Sequence, residues 1–322
     1  MNSSLVLFMN SMILGVMVSL CSNNLISIWI GLEVSLMSFL PIMVSESILS
    51  SESSMKYFIV QGLSSSMLLL GVMILISDLD SMSNLIISIS LMIKLGVAPF
   101  HMWVLSVVEG LNYVCLFILL FFMKLVPLYI LSLMNFSLLI LSILTMIVGS
   151  ISGMVQNSIR KLLALSSVYN LGLLISCIYE ISIWLIYFFI YGLILISLLM
   201  LTSKINSNYL NQIIMFEFDL SKKLLFWLVM LSMGGLPPFL GFFNKIIVIE
   251  FLISNGLFMN ALVLIFTALV VIYFYIRMTY ISLMFFSLTL KLNLTKVSQM
   301  SLLVLSINLM MFPLIIVYNS LT

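Results

Sequence analysis

The sequence predicts an all-α, polytopic membrane protein. Hydrophobic residues make up 64% of its 322 residues, charged residues make up only 7%, and the mean hydropathy is +1.35. Soluble domains carry roughly 25% charged residues, so 12 basic and 10 acidic side chains could not cover a soluble surface of this size. A net charge of +2 also provides no basic patch for a nucleic acid. Soluble domains and nucleic-acid binders are therefore excluded.

Apolar segments long enough to cross a bilayer recur along the whole chain. A crossing takes about 20 apolar residues, and charged, Asn-rich or Pro/Gly breaks divide the sequence into about eleven such spans. Membrane β-strands would alternate polar and apolar residues, and this sequence does not, so the spans are expected to be helices. The predicted spans are 3–21, 24–44, 56–77, 84–105, 112–132, 136–154, 160–178, 181–203, 222–243, 257–285 and 299–319.

The basic residues are distributed unevenly between the two sides of the membrane. If the spans alternate in direction, the side of the N-terminus collects eight basic residues and the other side collects Lys245 alone. Basic loops stay on the cytoplasmic or matrix side, so the N-terminus is expected there and the C-terminus, after an odd number of spans, on the opposite side. The eight residues are Lys56, Arg160, Lys161, Lys204, Lys222, Lys223, Lys291 and Lys296.

Four charged residues lie inside the hydrophobic segments rather than at their ends: Glu33, Lys94, Lys124 and Lys245. A charge at the bilayer centre costs about 2.5–3.5 kcal/mol, and burial disfavours the charged form of both residue types. Such groups can exchange protons, so the sequence predicts a polar path for ions. The alternatives are lysines that snorkel to an interface and a protonated Glu33 that serves helix packing.

Two of these lysines accompany residues that break helices. Lys94 is followed by Gly96 and Pro99, and Lys245 is preceded by two glycines and two prolines. Proline removes a backbone donor, and broken backbone at membrane depth is tolerated only where it is buried or lines a cavity. The two glycines are Gly234 and Gly235, and the two prolines are Pro237 and Pro238.

The two broken spans are the fourth and the ninth in the predicted order. They lie five spans apart, so they cross the membrane in opposite directions. Interrupted spans at corresponding places are typical of a transport site between inverted repeats. We therefore expect one membrane domain over 1–322, with five-helix repeats at 1–132 and 136–285 and an appended helix at 299–319.

Histidine and cysteine are too few to build a cofactor site. His101 is the only histidine; it could titrate near neutral pH or be a structural residue. Cys21, Cys115 and Cys177 lie far apart and form no C-x-x-C pair. The sequence also contains no glycine-rich phosphate loop. We therefore expect no nucleotide, metal or redox site in this chain, and the energy for transport would come from outside it.

Five sequence segments together carry a resemblance to a known family. They are KYFIVQ at 56–61, LMIKLGVAPFHMWV at 91–104, IRKLLALSSVYNLG at 159–172, LNQ at 210–212 and LSMGGLPPFLGFFNK at 231–245. In this order, over nearly the whole chain, they resemble the antiporter-like membrane subunits of respiratory complex I, in a short, mitochondrially encoded, insect-like form.

The resemblance implies a proton path through Glu33, Lys94, Lys124 and Lys245. In that family the glutamate modulates a neighbouring lysine, the central lysines carry the proton, and the lysine on the second broken helix passes it toward the exit. The resemblance also implies that quinone reduction drives the transfer, within a proton-translocating NADH:ubiquinone reductase whose FMN, iron–sulfur clusters and ubiquinone belong to other subunits.

The resemblance further implies a location and partners. The chain is expected in the mitochondrial inner membrane, with its N-terminus in the matrix and its C-terminus in the intermembrane space. Other hydrophobic membrane-arm subunits and lipids, including cardiolipin, are the expected partners, without a nucleic acid or a soluble substrate.

The chain departs from the family pattern at two positions. Asn170 stands in the seventh span where the family commonly has histidine, which puts a titratable relay there in doubt, although Asn with water can still pass hydrogen bonds. Leu105 stands two residues after Trp103, at a position where the family commonly has proline. Together with His101, Asn170 is an accessory candidate. Two other functions stay open: a free-standing cation/proton antiporter, and a structural subunit that carries no protons.

Overall fold

The computed structural model describes residues 3–45, 47–77, 80–134, 138–205, 208–209, 212 and 220–284. Within these residues the chain is helical, apart from one isolated antiparallel bridge between Ser158 and Tyr209. The all-α prediction is confirmed for this part of the chain. The appended helix predicted at 299–319 lies outside the described residues.

Seven helices in the described part of the chain are long and apolar enough to cross a membrane, which confirms a multi-pass membrane protein. Three further apolar helices are shorter. The predicted count of eleven spans therefore stays a prediction. The seven long helices are Ser3–Cys21, Leu25–Met43, Ile48–Ile76, Tyr113–Leu133, Ile159–Ser176, Ile181–Ser203 and Phe258–Tyr280.

The chain divides into two compact units, Met1–Thr145 and Met146–Thr322, called here the first and second unit. The first unit contains α1 (Ser3–Cys21), α2 (Leu25–Met43), α3 (Ile48–Ile76), α4 (Asp80–Leu95), α5 (Met102–Val108), α6 (Tyr113–Phe117), a π-helical turn (Ile118–Phe122) and α7 (Met123–Leu133). α8 (Leu139–Val155) begins in it and ends in the second unit. The second unit continues with α9 (Ile159–Ser176), α10 (Ile181–Ile205), α11 (Leu220–Gly234), α12 (Leu240–Ser254) and α13 (Phe258–Met284).

Both predicted breaks occur, and both have the same backbone geometry. Gly96 and Gly235 follow α4 and α11 with φ of +72° and +77°, a region that side chains other than glycine rarely enter. At each break the glycine N–H donates to the carbonyls three and four residues back, and the next N–H donates to the carbonyl five residues back. This hydrogen-bond pattern is typical of a glycine that ends a helix.

The second broken span extends further than the sequence predicted. Its second half, α12, continues to Ser254, whereas the predicted span ended at residue 243. Charged and Asn-rich breaks bound the predicted spans, and Asn244 and Lys245 follow residue 243. The structure shows instead that Lys245 folds back onto the break, so its charge does not end the helix. α12 ends where Gly256 adopts a φ of +73°.

α1 and α2 pack backbone to backbone through small residues. A Cβ atom on Gly31 would lie 2.7 Å from the Gly15 carbonyl oxygen, and one on Gly15 would lie 2.8 Å from the Ser35 nitrogen. Ser27, Gly31, Ser35 and Ser38 recur at helical spacing on α2, and such a face of small residues suits close packing of helices. Gly31 and Ser35 make this contact with α1.

Gly31→Ala is expected to separate α1 from α2, because the added methyl group meets backbone atoms that cannot rotate away. Overpacking of this kind costs about 1–3 kcal/mol, so the thermal stability of the assembled protein should fall. Gly62→Ala in α3 is the control, since its methyl group would meet nothing within 4 Å. Equal thermal inactivation of the two variants would contradict the contact.

Candidate functional site

Three lysines are buried among the residues whose side chains the structure describes. Lys94, Lys124 and Lys245 are 7%, 5% and 6% exposed. Lys56, by contrast, has a side chain that is 44% exposed and pairs with Glu52 at 2.5 Å. The three buried lysines therefore do not snorkel to the surface of the chain, and each must be accommodated by polar groups around it.

Lys94 and Lys124 line the same cavity in the first unit. Lys94 lies in the last turn of α4, and Lys124 lies in the first turn of α7. The cavity measures about 30 Å³, enough for about two water molecules. Four other polar side chains line it: Ser35, Tyr57, Gln61 and Trp103. A proton can pass between two amines through water held in such a space.

The first break supplies part of this lining. The Gln61 side chain on α3 donates from Nε2 to the Lys94 carbonyl oxygen at 3.3 Å. Trp103 in α5 donates from Nε1 to the Ile93 carbonyl oxygen at 3.0 Å. The ring of Tyr57 lies 6.0 Å from that of Trp103. These contacts pair the carbonyls freed by the break and fix the end of α4 against α3 and α5.

Lys124 is the second residue after the π-helical turn Ile118–Phe122. It makes no hydrogen bond or ion pair with any residue that the structure describes. π-helical turns are rare, and they are frequent at functional sites. The Lys124 side chain is one of those that line the cavity shared with Lys94.

Glu33 is half-buried and lies in a different space from the two lysines. It lines an open groove of about 880 Å³ between α1, α2 and α3, whose walls are mainly apolar. It is nevertheless close enough to Lys94 and Tyr57 to interact electrostatically with both. The structure therefore brings Glu33 near Lys94 but does not place it in the lysine cavity.

Lys245 closes the second break. Its Nζ donates to the Gly234 carbonyl oxygen at 2.5 Å, the last carbonyl of α11. The C-terminal end of a helix carries partial negative charge, which favours a cation at this point. A Cβ atom on Gly235 would lie 2.8 Å from the same Nζ, so only glycine leaves room for the contact.

Asn170 lies in α9, in the same unit as Lys245. Its Oδ1 accepts a hydrogen bond from the Tyr187 hydroxyl at 2.9 Å. The ring of Tyr169, the preceding residue, has its centroid 6.0 Å from Lys245 Nζ. Asn244, which precedes Lys245, donates from Nδ2 to the Tyr187 carbonyl oxygen at 3.4 Å.

His101 stands apart from both lysine sites. It precedes α5 without a capping hydrogen bond from its side chain, and it does not line the cavity of Lys94 and Lys124. Its Nδ1 is buried and has no partner among the described residues. No role for His101 follows from these contacts.

Sequence reasoning missed the polar side chains that surround the lysines. Tyr57 and Gln61 are four residues apart on α3, a spacing that places them on one helix face. Tyr187 and Tyr191 have the same spacing on α10. This spacing is the signal that could have marked these residues.

No cluster of three or more potential metal ligands occurs within the part of the chain that the structure describes. The three cysteines are free, and Cys21 is exposed whereas Cys115 and Cys177 are buried. The polar groups of the candidate sites are instead amines, phenols, amides and one carboxylate. Such groups donate, accept and exchange protons.

The fold and these sites define a class of protein: a multi-pass helical membrane protein with lysines buried beside broken helices. The chain belongs to the NADH:quinone oxidoreductase/Mrp antiporter membrane family, whose model matches residues 22–272. The resemblance inferred from the five motifs is thereby confirmed.

Named relatives agree with this assignment. The chain is 38% identical over 293 residues to NADH-ubiquinone oxidoreductase chain 2 of Anopheles gambiae, covering 85% of this chain and 84% of the relative. It is 31% identical to the protein of the same name from Locusta migratoria, covering 87% and 85%. For the rabbit protein, Oryctolagus cuniculus, the identity is 30% and the coverage 87% and 85%.

Solved structures share the fold. A chain of respiratory complex I from Thermus thermophilus with bound aureothin matches with a TM-score of 0.78 and 20% identity, over 87% of this chain and 70% of that one. A chain of the Mrp complex from Dietzia matches with a TM-score of 0.74 and 16% identity, over 84% and 59%. At these identities the likeness concerns the fold alone.

Proposed function

We propose that the chain is a membrane-arm subunit of respiratory complex I that takes part in moving protons across the mitochondrial inner membrane. The burial of three lysines beside broken helices carries the proposal, because a membrane protein keeps such costly charges only for a function. The names of the animal relatives support complex I as the assembly.

The buried charged residues have different roles in the proposed transfer. Lys94 and Lys124 exchange protons through water in their shared cavity, and Glu33 modulates Lys94 through their electrostatic interaction. Lys245 takes part in the transfer within the second unit. A dry, apolar gap between Lys94 and Lys124 would have favoured a structural role, and the polar lining of the cavity speaks against it.

The topology that goes with this function is an inverted repeat. We place the repeats near 1–132 and 136–285, in one domain of about eleven helices that includes a helix at 299–319. The shared geometry of the breaks at Gly96 and Gly235 supports this arrangement. The unequal distribution of basic residues supports an N-terminus in the matrix and a C-terminus in the intermembrane space.

The partners follow from the surface. Large apolar side chains are exposed on the long helices, among them Leu7, Leu14 and Met37, and such faces suit other hydrophobic membrane-arm subunits and lipids, including cardiolipin. FMN, iron–sulfur clusters and ubiquinone belong to other subunits, whose quinone reduction supplies the energy. Neither a nucleic acid nor a soluble substrate is a partner.

A second candidate function is a free-standing cation/proton antiporter. The fold shared with a chain of the Mrp complex favours it. Native purification separates the two candidates, because a complex I subunit is recovered in a very large assembly with NADH oxidation activity. A lone chain that exchanges Na⁺ for H⁺ in liposomes would support the antiporter instead.

Lys124→Ala and Glu33→Gln are each expected to lower proton pumping by the assembled complex. Lys124→Ala removes one of the two amines of the cavity, and Glu33→Gln removes the charge that acts on Lys94. The measurement is the rate of proton pumping during NADH oxidation in sealed membrane vesicles, beside the amount of assembled complex on a native gel.

Lys56→Ala is the matched control, since the Lys56 side chain is exposed, pairs with Glu52 and does not line the cavity. Its pumping should equal that of the unaltered complex. Normal pumping in the Lys124→Ala complex, with normal assembly, would refute the assigned path.

A further inference from the structure

Four tyrosines of the second unit form a buried cluster around Asn170. Tyr169 comes from α9, Tyr187 and Tyr191 come from α10, and Tyr275 comes from α13. Each is at most 4% exposed. Tyr187 lies close enough to the other three for electrostatic interaction, so the four phenols share one site.

Most hydroxyls of this cluster lack a hydrogen-bond partner. The Tyr187 hydroxyl donates to Asn170 Oδ1 at 2.9 Å. The other three hydroxyls are buried and unpaired among the described residues. Thr267, Asn170 and Ser166 approach the hydroxyls of Tyr169, Tyr191 and Tyr275, respectively, without completing a hydrogen bond of normal geometry. The Oδ1 atom of Asn244 is buried and unpaired as well.

Unpaired buried groups of this kind indicate bound water. Leaving one of them without a hydrogen bond costs about 1–3 kcal/mol, and native interiors pair roughly 90% or more of such groups with protein or ordered water. Three hydroxyls and one amide oxygen in a single unit would together cost several times that amount. Ordered water between them satisfies several of these groups at once.

The cluster extends to Lys245 through two successive residues of α12. Lys245 Nζ lies 6.0 Å from the ring centroid of Tyr169. Asn244 donates from Nδ2 to the Tyr187 carbonyl oxygen at 3.4 Å. The buried Lys245 amine at the second break therefore lies next to the tyrosine cluster. The cluster in turn contacts Asn170 through Tyr187.

We propose that this tyrosine cluster, together with ordered water, relays protons between Lys245 and the position of Asn170. The inference rests on the proposed function and names the groups that perform its transfer in the second unit. In this relay the phenols carry the proton in place of the histidine that the family commonly has at position 170. The Asn170 amide orients Tyr187.

The chemistry of the relay needs no charged tyrosine. A neutral hydroxyl is both a donor and an acceptor, so it accepts a proton on a lone pair as it releases its own proton to the next oxygen. Every O–H bond that breaks is replaced by one that forms. Lys245 changes from ammonium to amine, and an ordered water molecule at the Asn170 end of the cluster receives the last proton.

The double variant Tyr169→Phe/Tyr187→Phe tests the relay, because it removes two hydroxyls and keeps both rings. Proton pumping by the assembled complex is expected to fall by about 10²-fold, the scale of losing a positioned proton-transfer group. Tyr273→Phe in α13 is the matched control, since Tyr273 is 55% exposed. It should pump normally.

A solvent isotope effect separates a relay from a structural role. Tyr191→Phe should pump more slowly and show a larger slowing in D₂O than the unaltered complex, which a packing defect would not produce. This single variant also decides the matter if the double variant fails to assemble. Normal pumping with an unchanged isotope effect in Tyr191→Phe would overturn the relay.

Lys245→Met, measured in parallel, distinguishes failure of the relay from failure of the proposed function. If Lys245→Met stops pumping while the double tyrosine variant pumps normally, the relay is wrong and the proposed function stands. If Lys245→Met pumps normally in an assembled complex, the proposed function fails as well.

Discussion

Replacing Lys245 with Met is expected to leave the complex assembled and to stop its proton pumping. Methionine keeps the length of the side chain but loses the ammonium group that donates to the Gly234 carbonyl oxygen. The unpaired carbonyl costs about 1–3 kcal/mol, and the removal of a buried charge offsets much of that cost. Stability should therefore change little, whereas the proton-transfer rate should fall by about 10²-fold or more.

Lys245→Arg separates the charge of this residue from its ability to release a proton. A guanidinium stays charged in proteins, so an arginine keeps the cation at the end of α11 but cannot transfer a proton. Both variants should therefore fail to pump, while Lys56→Met pumps normally. The measurements are pumping in sealed vesicles and the amount of complex on native gels. Pumping by Lys245→Arg at the normal rate would show that charge alone suffices.

Gly235→Val is expected to have the largest effect on folding of any single change considered. Gly235 has a φ of +77°, and a Cβ atom there would lie 2.8 Å from Lys245 Nζ and 3.1 Å from the Gly241 carbonyl oxygen. Strain in this backbone region costs about 1–3 kcal/mol. Displacement of Lys245 adds the cost of a buried charge without its partner, about 3–5 kcal/mol. The amount of assembled complex should fall to a small fraction of normal.

Gly256→Val isolates the part of this effect that comes from the backbone alone. Gly256 has a φ of +73°, nearly the same as Gly235, but a Cβ atom there would meet nothing within 4 Å. The Gly256 variant should lose stability through strain only, and more of its complex should assemble. Native gels and thermal inactivation measure both. Equal losses in the two variants would show that the contact with Lys245 contributes nothing.

The helices and the two breaks could be predicted from the sequence because their causes are local. Apolar runs define the spans, and the glycines and prolines before Lys245 and after Lys94 define where two of them are interrupted. The depth of Lys94 and Lys124 was also predictable, since long apolar segments lie on both sides of them. The depth of Lys245 was not, because Lys245 lies just beyond the predicted span 222–243.

The arrangement around the lysines could not be predicted in the same way. The shared cavity of Lys94 and Lys124 depends on how α7 is rotated about its axis, and the π-helical turn that sets this rotation has no sequence signal among Ile, Leu and Phe residues. Tyr169 and Tyr275 are more than a hundred positions apart in the sequence. Only tertiary packing brings them into one cluster.

The π-helical turn lets one span direct side chains toward two neighbouring helices, α2 and α4. One residue of an α-helix corresponds to about 100° of rotation, so a turn that holds one residue more offsets the angular positions of everything beyond it. α6, before the turn, directs Cys115 to the Ile42 carbonyl oxygen of α2, while α7, after it, directs Lys124 to the cavity beside α4. In a uniform α-helix over Tyr113–Leu133, the directions of Cys115 and Lys124 would be fixed relative to each other. Such a helix could make the contact with α2 or place Lys124 in the cavity beside α4, but not both. Loss of one residue from the turn would thus redirect Lys124 while every residue of its immediate surroundings remained the same.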